Sequence, residues 1–305
     1  MSLEDRHLLQ VEHIHLGHLV GSGGFAKVYK CSLGRQPAVC KVIPAENLND
    51  EITYLLTNEC TIWSKLAHRN IVSFYGMAWN PASIWLLGEF MPNGSLLEYH
   101  QKKHKAQAPP PTDLELINKL IQVADGMAYL HAMDPPILHR DLKSANVMLS
   151  EGGKRLAIAD FGLARYCAAH GKSMTAETGS YRWMAPEVIR HEPYNERCDV
   201  YSFGILAWEM MTYRVPFDEL MPVEAAFAVA REGTRPKVPD TLTNLAIKRV
   251  ITNSWAQEAA MRPSFEELTK RLTTEAKSFT PDSVCPSPPS TPLAPWTSPR
   301  SAITA

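Results

Sequence analysis

Near residue 91 the chain passes for good from a mostly strand-like hydrophobic period to a helical one, and that change bounds what it can fold into. Through about residue 91 most apolar positions alternate with polar ones. "IHLGHLVGSGGFAKVYKCSL" (14–33) and "PAVCKVI" (37–43) carry Val, Ile and Tyr at this spacing, with glycines clustered between two runs, and read as strands. "NIVSFYGMAW" (70–79) and "SIWLLGEFM" (83–91) read the same way. Between these pairs, "NDEITYLLTNECTIWSKLAH" (49–68) places Ile52, Leu55, Leu56, Ile62 and Leu66 near one helical face. After the turn signal "PNGS" the spacing is helical almost throughout. "KKHKAQAPPP" (102–111) reads as a polar connector, and a long helix follows it over 112–131. Thr112 and Glu115 stand at capping-box spacing at its start. Further helices are expected in "DVYSFGILAWEMMT", "MPVEAAFAVARE", "NLAIKRVITNSW" and "SFEELTKRLTTEAK".

A strand-rich first third and a helix-rich remainder predict an α+β chain of two lobes joined near residues 89–95, and 305 residues suffice for two modest cores. The expected division is an extension over 1–13, a small lobe over 14–88, a hinge over 89–95 and a large lobe over 96–277. Residues 278–305 are rich in Pro, Ser and Thr, bury too little apolar surface to fold and read as a disordered tail. The tail holds four Ser/Thr-Pro pairs (Thr280, Ser287, Thr291, Ser298), read as a plain end or as sites for proline-directed kinases or a partner domain.

A net charge of −1 gives no nucleic-acid footprint. Six scattered cysteines, without a C-x-x-C pair, read as free thiols of a reducing compartment. The longest apolar run, "YSFGILAWEMM", is short and contains Glu209, so no membrane insertion is expected. The polar, acidic start is unlike a signal peptide, and a cytoplasmic location is expected. In "HIHLGH", His13 and His15 would share a strand face and His18 the other, which argues against a metal site.

The densest chemistry lies in "ILHRDLKSANVML" (137–149), where a polar centre sits between apolar ends. Asp141 can accept or orient a hydroxyl proton. Lys143 can neutralise charge on a group being transferred. Asn146 offers a neutral oxygen to a hard cation such as Mg²⁺, and Asp160 of "ADFGLAR" offers a second, anionic one. "GSGGFAKV" lets backbone N–H groups approach phosphate oxygens. A strand follows it, which excludes a dinucleotide fingerprint, and no G-K-[ST] closes a Walker loop. Lys41 of "AVCK", on a half-buried strand, needs a partner, and Glu59 on the next helix is the candidate.

Taken in order, "GSGGFAKV", "AVCK", Glu59, "HRDLKSAN", "DFG", "APE", "DVYSFG" and "RPSF" resemble a eukaryotic protein kinase over roughly residues 14–273. "TGSYRWMAPEVI" is similar to the tyrosine-kinase-like group, with its Raf-like and mixed-lineage members. The resemblance implies a bilobal fold and transfer of the ATP γ-phosphate to protein hydroxyls with Mg²⁺. It gives Asp141 the role of catalytic base and Lys143 that of transition-state cation. Lys41 would grip the α- and β-phosphates and pair with Glu59. Asn146 and Asp160 would hold the metal. Gly21, Ser22, Gly23, Gly24, Val28, Val39, Gly88, Glu89, Met91 and Met148 would line the nucleotide site with Lys41 and Asp160. Glu187 would pair with Arg262, Asp199 would anchor the catalytic-loop backbone, and His139, Phe161, Trp63 and Phe74 would stack in one column between the lobes.

Lys143 and Ser180 favour serine/threonine substrates; a dual-specificity enzyme and a pseudokinase scaffold are the alternatives, and the presence of Lys41, Asp141 and Asp160 speaks against the scaffold. A small-molecule kinase is a third possibility, less suited to the "APE" segment. Ser173, Thr175 and Thr178 lie between "DFG" and "APE". Phosphorylation of Thr175 or Thr178 by an upstream activating kinase, received by Arg140 and Arg165, would order this loop. Ala26 replaces the third loop glycine, tolerable if its φ is negative, and Val39 stands where a small Ala is usual. Gly88 holds the gatekeeper position, and its missing side chain predicts an open pocket behind the adenine.

Overall fold

The computed structural model describes residues 7–167 and 180–279. β1 (Ile14–Ser22), β2 (Lys27–Leu33), β3 (Gln36–Pro44), β4 (Phe74–Asn80) and β5 (Ser83–Glu89) form one antiparallel sheet in the order β1-β2-β3-β5-β4. Its register sets Val28 beside Lys41, Lys41 beside Leu86, and Val39 beside Gly88, so these side chains share one face. The other face buries Cys31, Ala38, Cys40, Ala78, Trp85 and Leu87, with Leu9 and Val11 packed against it. Leu9 N–H donates to the Met77 carbonyl at 2.8 Å, fastening this leading segment to β4. β1 begins at Ile14, so His13 lies in the turn before it and not on a strand face with His15.

α1 (Asp50–Trp63) starts where the Asn49 side chain accepts from Ile52 N–H at 2.8 Å, a cap worth about 1 kcal/mol. It buries Leu56, Cys60, Ile62 and Trp63 with Ile43 and Leu86 of the sheet's inner face. The strand expected from residue 70 begins only at Phe74. Before it, Val72 N–H donates to Ile158 O, and Ile158 N–H to Asn70 O, both at 2.9 Å. This apolar stretch pairs across to the second lobe, where its backbone groups are equally satisfied.

The second lobe holds α2 (Leu96–Lys105), α3 (Asp113–His131), α4 (Pro186–Ile189), α5 (Arg197–Thr212), α6 (Pro222–Phe227), α7 (Leu245–Ser254) and α8 (Phe265–Ser278). Short antiparallel pairs, β6 (Ile137–Leu138) with β9 (Arg165–Tyr166) and β7 (Val147–Leu149) with β8 (Leu156–Ile158), lie at its upper edge. The architecture is the expected bilobal α+β one. The capping box of Thr112 and Glu115 forms at the start of α3. The expected connector over 102–111 is corrected in its first half, because α2 runs through Lys105. α5 is buried along nearly its whole length, and with α3 and α8 it forms the centre of the core. Arg262 bonds both oxygens of Glu187, at 2.6 and 2.9 Å, a buried ion pair joining α4 to the turn before α8. No helix among the described residues is long and apolar enough to cross a membrane.

Candidate active site

β6 buries Ile137 and Leu138, β7 buries Val147 and Leu149, and the two hold residues 139–146 between them as a loop. Asp199, wholly buried on α5, fixes this loop: its carboxylate accepts from His139 N–H at 2.9 Å, from Arg140 N–H at 2.7 Å and contacts His131 Nε2 at 3.0 Å. Arg140 takes φ 69°, uncommon for a residue with a side chain, and the paired bonds to Asp199 compensate. Burial pushes the Asp199 carboxyl upward, yet the His131 hydrogen bond and nearby charge outweigh it and hold the group below its ordinary range.

Downstream, Lys143 Nζ reaches both oxygens of Asp141 at 3.0 and 2.8 Å and the Ser180 hydroxyl at 2.7 Å. Asn146 Nδ2 donates to the Asp141 carbonyl and to Asp141 Oδ2, each at 2.8 Å. Both amide hydrogens are thereby used, which leaves the Asn146 side-chain carbonyl oxygen as the atom able to hold a cation.

Lys41 Nζ contacts both Glu59 oxygens at 3.0 and 2.9 Å and lies 3.8 Å from Asp160 Oδ1. Burial disfavours the ammonium, but Glu59 and Asp160 outweigh it and hold Lys41 protonated above its ordinary range. Asp160 has φ 64°, and its half-exposed carboxylate accepts from Gly162 N–H at 3.3 Å. Burial raises its affinity for a proton, and Lys41 overcomes that to leave the group below its ordinary range. The two clusters meet one residue before Asp160: Ala159 N–H donates to Asn146 O at 2.8 Å, and His139 Nε2 lies 3.1 Å from Ala159 O. Residues 41, 59 and 160 thus form one cluster, residues 141, 143 and 146 a second, and the Asn146–Ala159 backbone bond joins the two.

Toward the sheet, Gly21 and Ser22 end β1, and Gly23 N–H closes the glycine turn on Ala26 O at 2.9 Å. Gly24 stands at its tip with no atom within 4 Å of where a Cβ would be, and Ala26 keeps out of the left-handed region. Val28 and Val39 share the Lys41 face, and half-buried Met148, on β7 of the other lobe, is bridged to Ser95. Met91 is buried at the crossing. The Glu89 carboxylate accepts from Arg155 Nη2 at 2.7 Å and Ser73 Oγ at 3.2 Å, so a nucleotide contact at Glu89 falls to its backbone.

The open pocket expected at Gly88 is corrected. A Cβ there would lie 2.6 Å from Trp63 Cη2 and 2.7 Å from Cζ2, because the indole fills the space. Trp63 stands in the expected column: ring centroids are 4.9 Å apart for Trp63–Phe74, 6.3 Å for Trp63–Phe161 and 5.4 Å for His139–Phe161.

Residues 14–272 match the family described as protein tyrosine and serine/threonine kinase. The chain belongs to this kinase family. It is similar to serine/threonine-protein kinase STY46 of Arabidopsis thaliana, 37% identical over 88% of this chain and 45% of the relative. It is also similar to the probable serine/threonine-protein kinase drkA of Dictyostelium discoideum, 35% identical over 88% of this chain and 41% of the relative. Serine/threonine/tyrosine-protein kinase HT1 of Arabidopsis thaliana is 32% identical, over 85% of this chain and 65% of the relative. The kinase chain spans about half the length of the curated relatives it matches.

One carboxylate of the kinase escaped the sequence reading, which registered Glu209 only as a charge inside an apolar run. It accepts from Ser144 Oγ at 2.5 Å and from Trp183 Nε1 at 3.0 Å, joining the loop of residues 139–146 to the segment that carries Ser180. A carboxylate in so apolar a helix must find buried partners, and that signal was available. Arg140 stacks over Tyr194 and Arg165 over Tyr54. Ser173, Thr175 and Thr178, like the Ser/Thr-Pro pairs of the tail, lie outside the described residues. A cavity of about 890 Å³ between α2, α3 and the β7–β8 turn is lined by none of the sequence-predicted site residues.

Proposed function

We propose that the chain is a serine/threonine protein kinase that transfers the γ-phosphate of ATP, with Mg²⁺, to hydroxyl groups of protein substrates. The observation that carries this is the joining of the Lys41–Glu59–Asp160 cluster to the Asp141–Lys143–Asn146 cluster through the Asn146–Ala159 backbone bond. The donor set fits a hard cation: the side-chain carbonyl of Asn146 and the ionised, half-exposed carboxylate of Asp160 both offer oxygen, with no thiol among them. Bound there, the metal would neutralise charge building on the phosphates. Lys41, held by Glu59, contacts the α- and β-phosphates. Asp141 takes the proton of the substrate hydroxyl as that oxygen bonds to the γ-phosphorus and the bond from phosphorus to the β,γ-bridging oxygen breaks, ADP leaving, and Lys143, already against Asp141, faces the transferred phosphoryl group with its charge. The glycine turn of residues 21–24 covers the phosphates. Val28, Val39, Gly88, Met148 and the backbone of Glu89 and Met91 enclose the base. Catalysis then rests on position and fixed charge.

The bond from Lys143 to Ser180 and the serine/threonine names of the relatives support that hydroxyl preference. The name of HT1, a serine/threonine/tyrosine-protein kinase, favours dual specificity as the second reading. The division carries over as proposed: extension 1–13, small lobe 14–88, hinge 89–95, large lobe 96–277 and tail 278–305. Phosphorylation of Thr175 or Thr178 by an upstream kinase, met by Arg140 and Arg165, is the proposed switch, and the cytoplasm the proposed location. The test is a phosphorylation assay over a Ser, Thr and Tyr peptide library beside Asp141→Asn. Incorporation into Ser and Thr peptides, reduced about 10²- to 10⁴-fold by the substitution, is expected. Incorporation confined to Tyr peptides, or unaffected by Asp141→Asn, overturns the reading.

A further inference from the structure

Gly88 lies on β5 between Val39 of β3 and Phe74 of β4, facing the end of α1. Glycine in a strand interior weakens it, so this one asks for a reason. An added Cβ would approach Trp63 Cη2 to 2.6 Å on one side and the Ser73 carbonyl oxygen to 3.2 Å on the other. Retreat toward the backbone is closed, so the indole would have to give way. To regain ordinary contact at 3.4 Å or beyond, the ring must withdraw by about 0.8 Å (3.4 less 2.6).

Trp63 is poorly placed to yield alone. Its Nε1 donates to the Val72 carbonyl at 2.6 Å, and its ring is packed between Phe74 and Phe161. It is the last residue of α1, one helical turn beyond Glu59, whose carboxylate holds Lys41. Displacement of the ring is therefore delivered to the helix.

We infer that Gly88 is a positioning residue: its missing side chain seats the Trp63 indole against β5, and that seat keeps α1 where Glu59 meets Lys41. The glycine and the tryptophan act as one size-matched pair. The pair rests on the kinase reading for its catalytic consequence and on geometry alone for its structural one.

Four full-length proteins test it: Gly88→Thr, Trp63→Leu, the two combined, and the parent. Hydrogen exchange of residues 50–63 reads the helix without any substrate, and kcat/KM on the best library peptide reads the consequence. Gly88→Thr should speed exchange across α1 and lower kcat/KM by about a hundredfold, the scale of a displacement near 1 Å at a reacting centre. The double substitution, which trades ring for methyls, should return exchange to the parent's and recover most of the activity. Parent-like exchange in Gly88→Thr, or a double variant no better than Gly88→Thr, overturns the pairing. If the parent transfers no phosphate, the kinase reading fails by itself, and the exchange comparison still decides whether Gly88 seats Trp63.

Discussion

Removing Arg262 tests how much the second lobe depends on one buried cation. Its guanidinium is almost wholly buried and makes five bonds: two to Glu187, and one each to the carbonyls of Ala256 at 2.9 Å, Arg197 at 3.0 Å and Gln257 at 3.2 Å. Arg262→Met keeps much of the volume but leaves the Glu187 carboxylate buried without its partner. Breaking a buried pair from one side costs about 3–5 kcal/mol, most of it the uncompensated charge. For a domain of this size about 1 kcal/mol moves Tm by roughly 2–4 °C, so a fall near 10 °C is expected. Combining Arg262→Met with Glu187→Gln removes the stranded charge and should regain part of that loss, the three carbonyls still wanting donors. Thermal unfolding followed by circular dichroism measures all three proteins. A melting point for Arg262→Met within about 2 °C of the parent, or a double variant less stable than the single one, would falsify the charge argument.

Three further outcomes follow from the same geometry. Asn146→Ala removes one oxygen donor and should raise the Mg²⁺ concentration for half-maximal phosphorylation about tenfold or more, read by a metal titration at saturating ATP; an unchanged midpoint removes Asn146 from the metal site. Asp199 has its carboxyl held below the ordinary 3.8, so its contribution is complete above that value and declines as pH falls toward the lower folded one; Asp199→Asn should lower stability at pH 7 and flatten the acid limb of a stability–pH curve below about pH 4, and parallel curves would refute this. Ser95→Ala breaks the capping box with Glu98 at the start of α2 and should cost about 1 kcal/mol in denaturant unfolding, with kcat unchanged.

The parts of the site that were legible in the sequence are those whose chemistry is local. Asp141, Lys143 and Asn146 fall within six residues, and the bonds among them close a loop that the short pairs β6–β9 and β7–β8 merely present. Lys41 and Glu59 were legible for a different reason: a half-buried strand carried a cation that required an anion, and the next helix supplied one. The elements that misled were those whose partner is not local. Residues 70–73 have the composition of a strand whether they pair within the sheet or with β8, and only the second arrangement joins the lobes. α2 buries just Leu96 and His100 and ends in a run of cations, so its apolar stripe is thin.

Gly88 shows the limit most directly. Read as a missing side chain, it is an opening; read with Trp63, twenty-five residues earlier, it is half of a fitted contact. Hydrophobic periodicity assigns a residue to a face but does not say which large side chain arrives opposite a small one. That is settled by the angle at which α1 crosses the sheet, and the angle is set in turn by the buried residues of α1 together. Volume complementarity is therefore the last property to become visible, and here it lies between the hinge strand and the helix that carries Glu59.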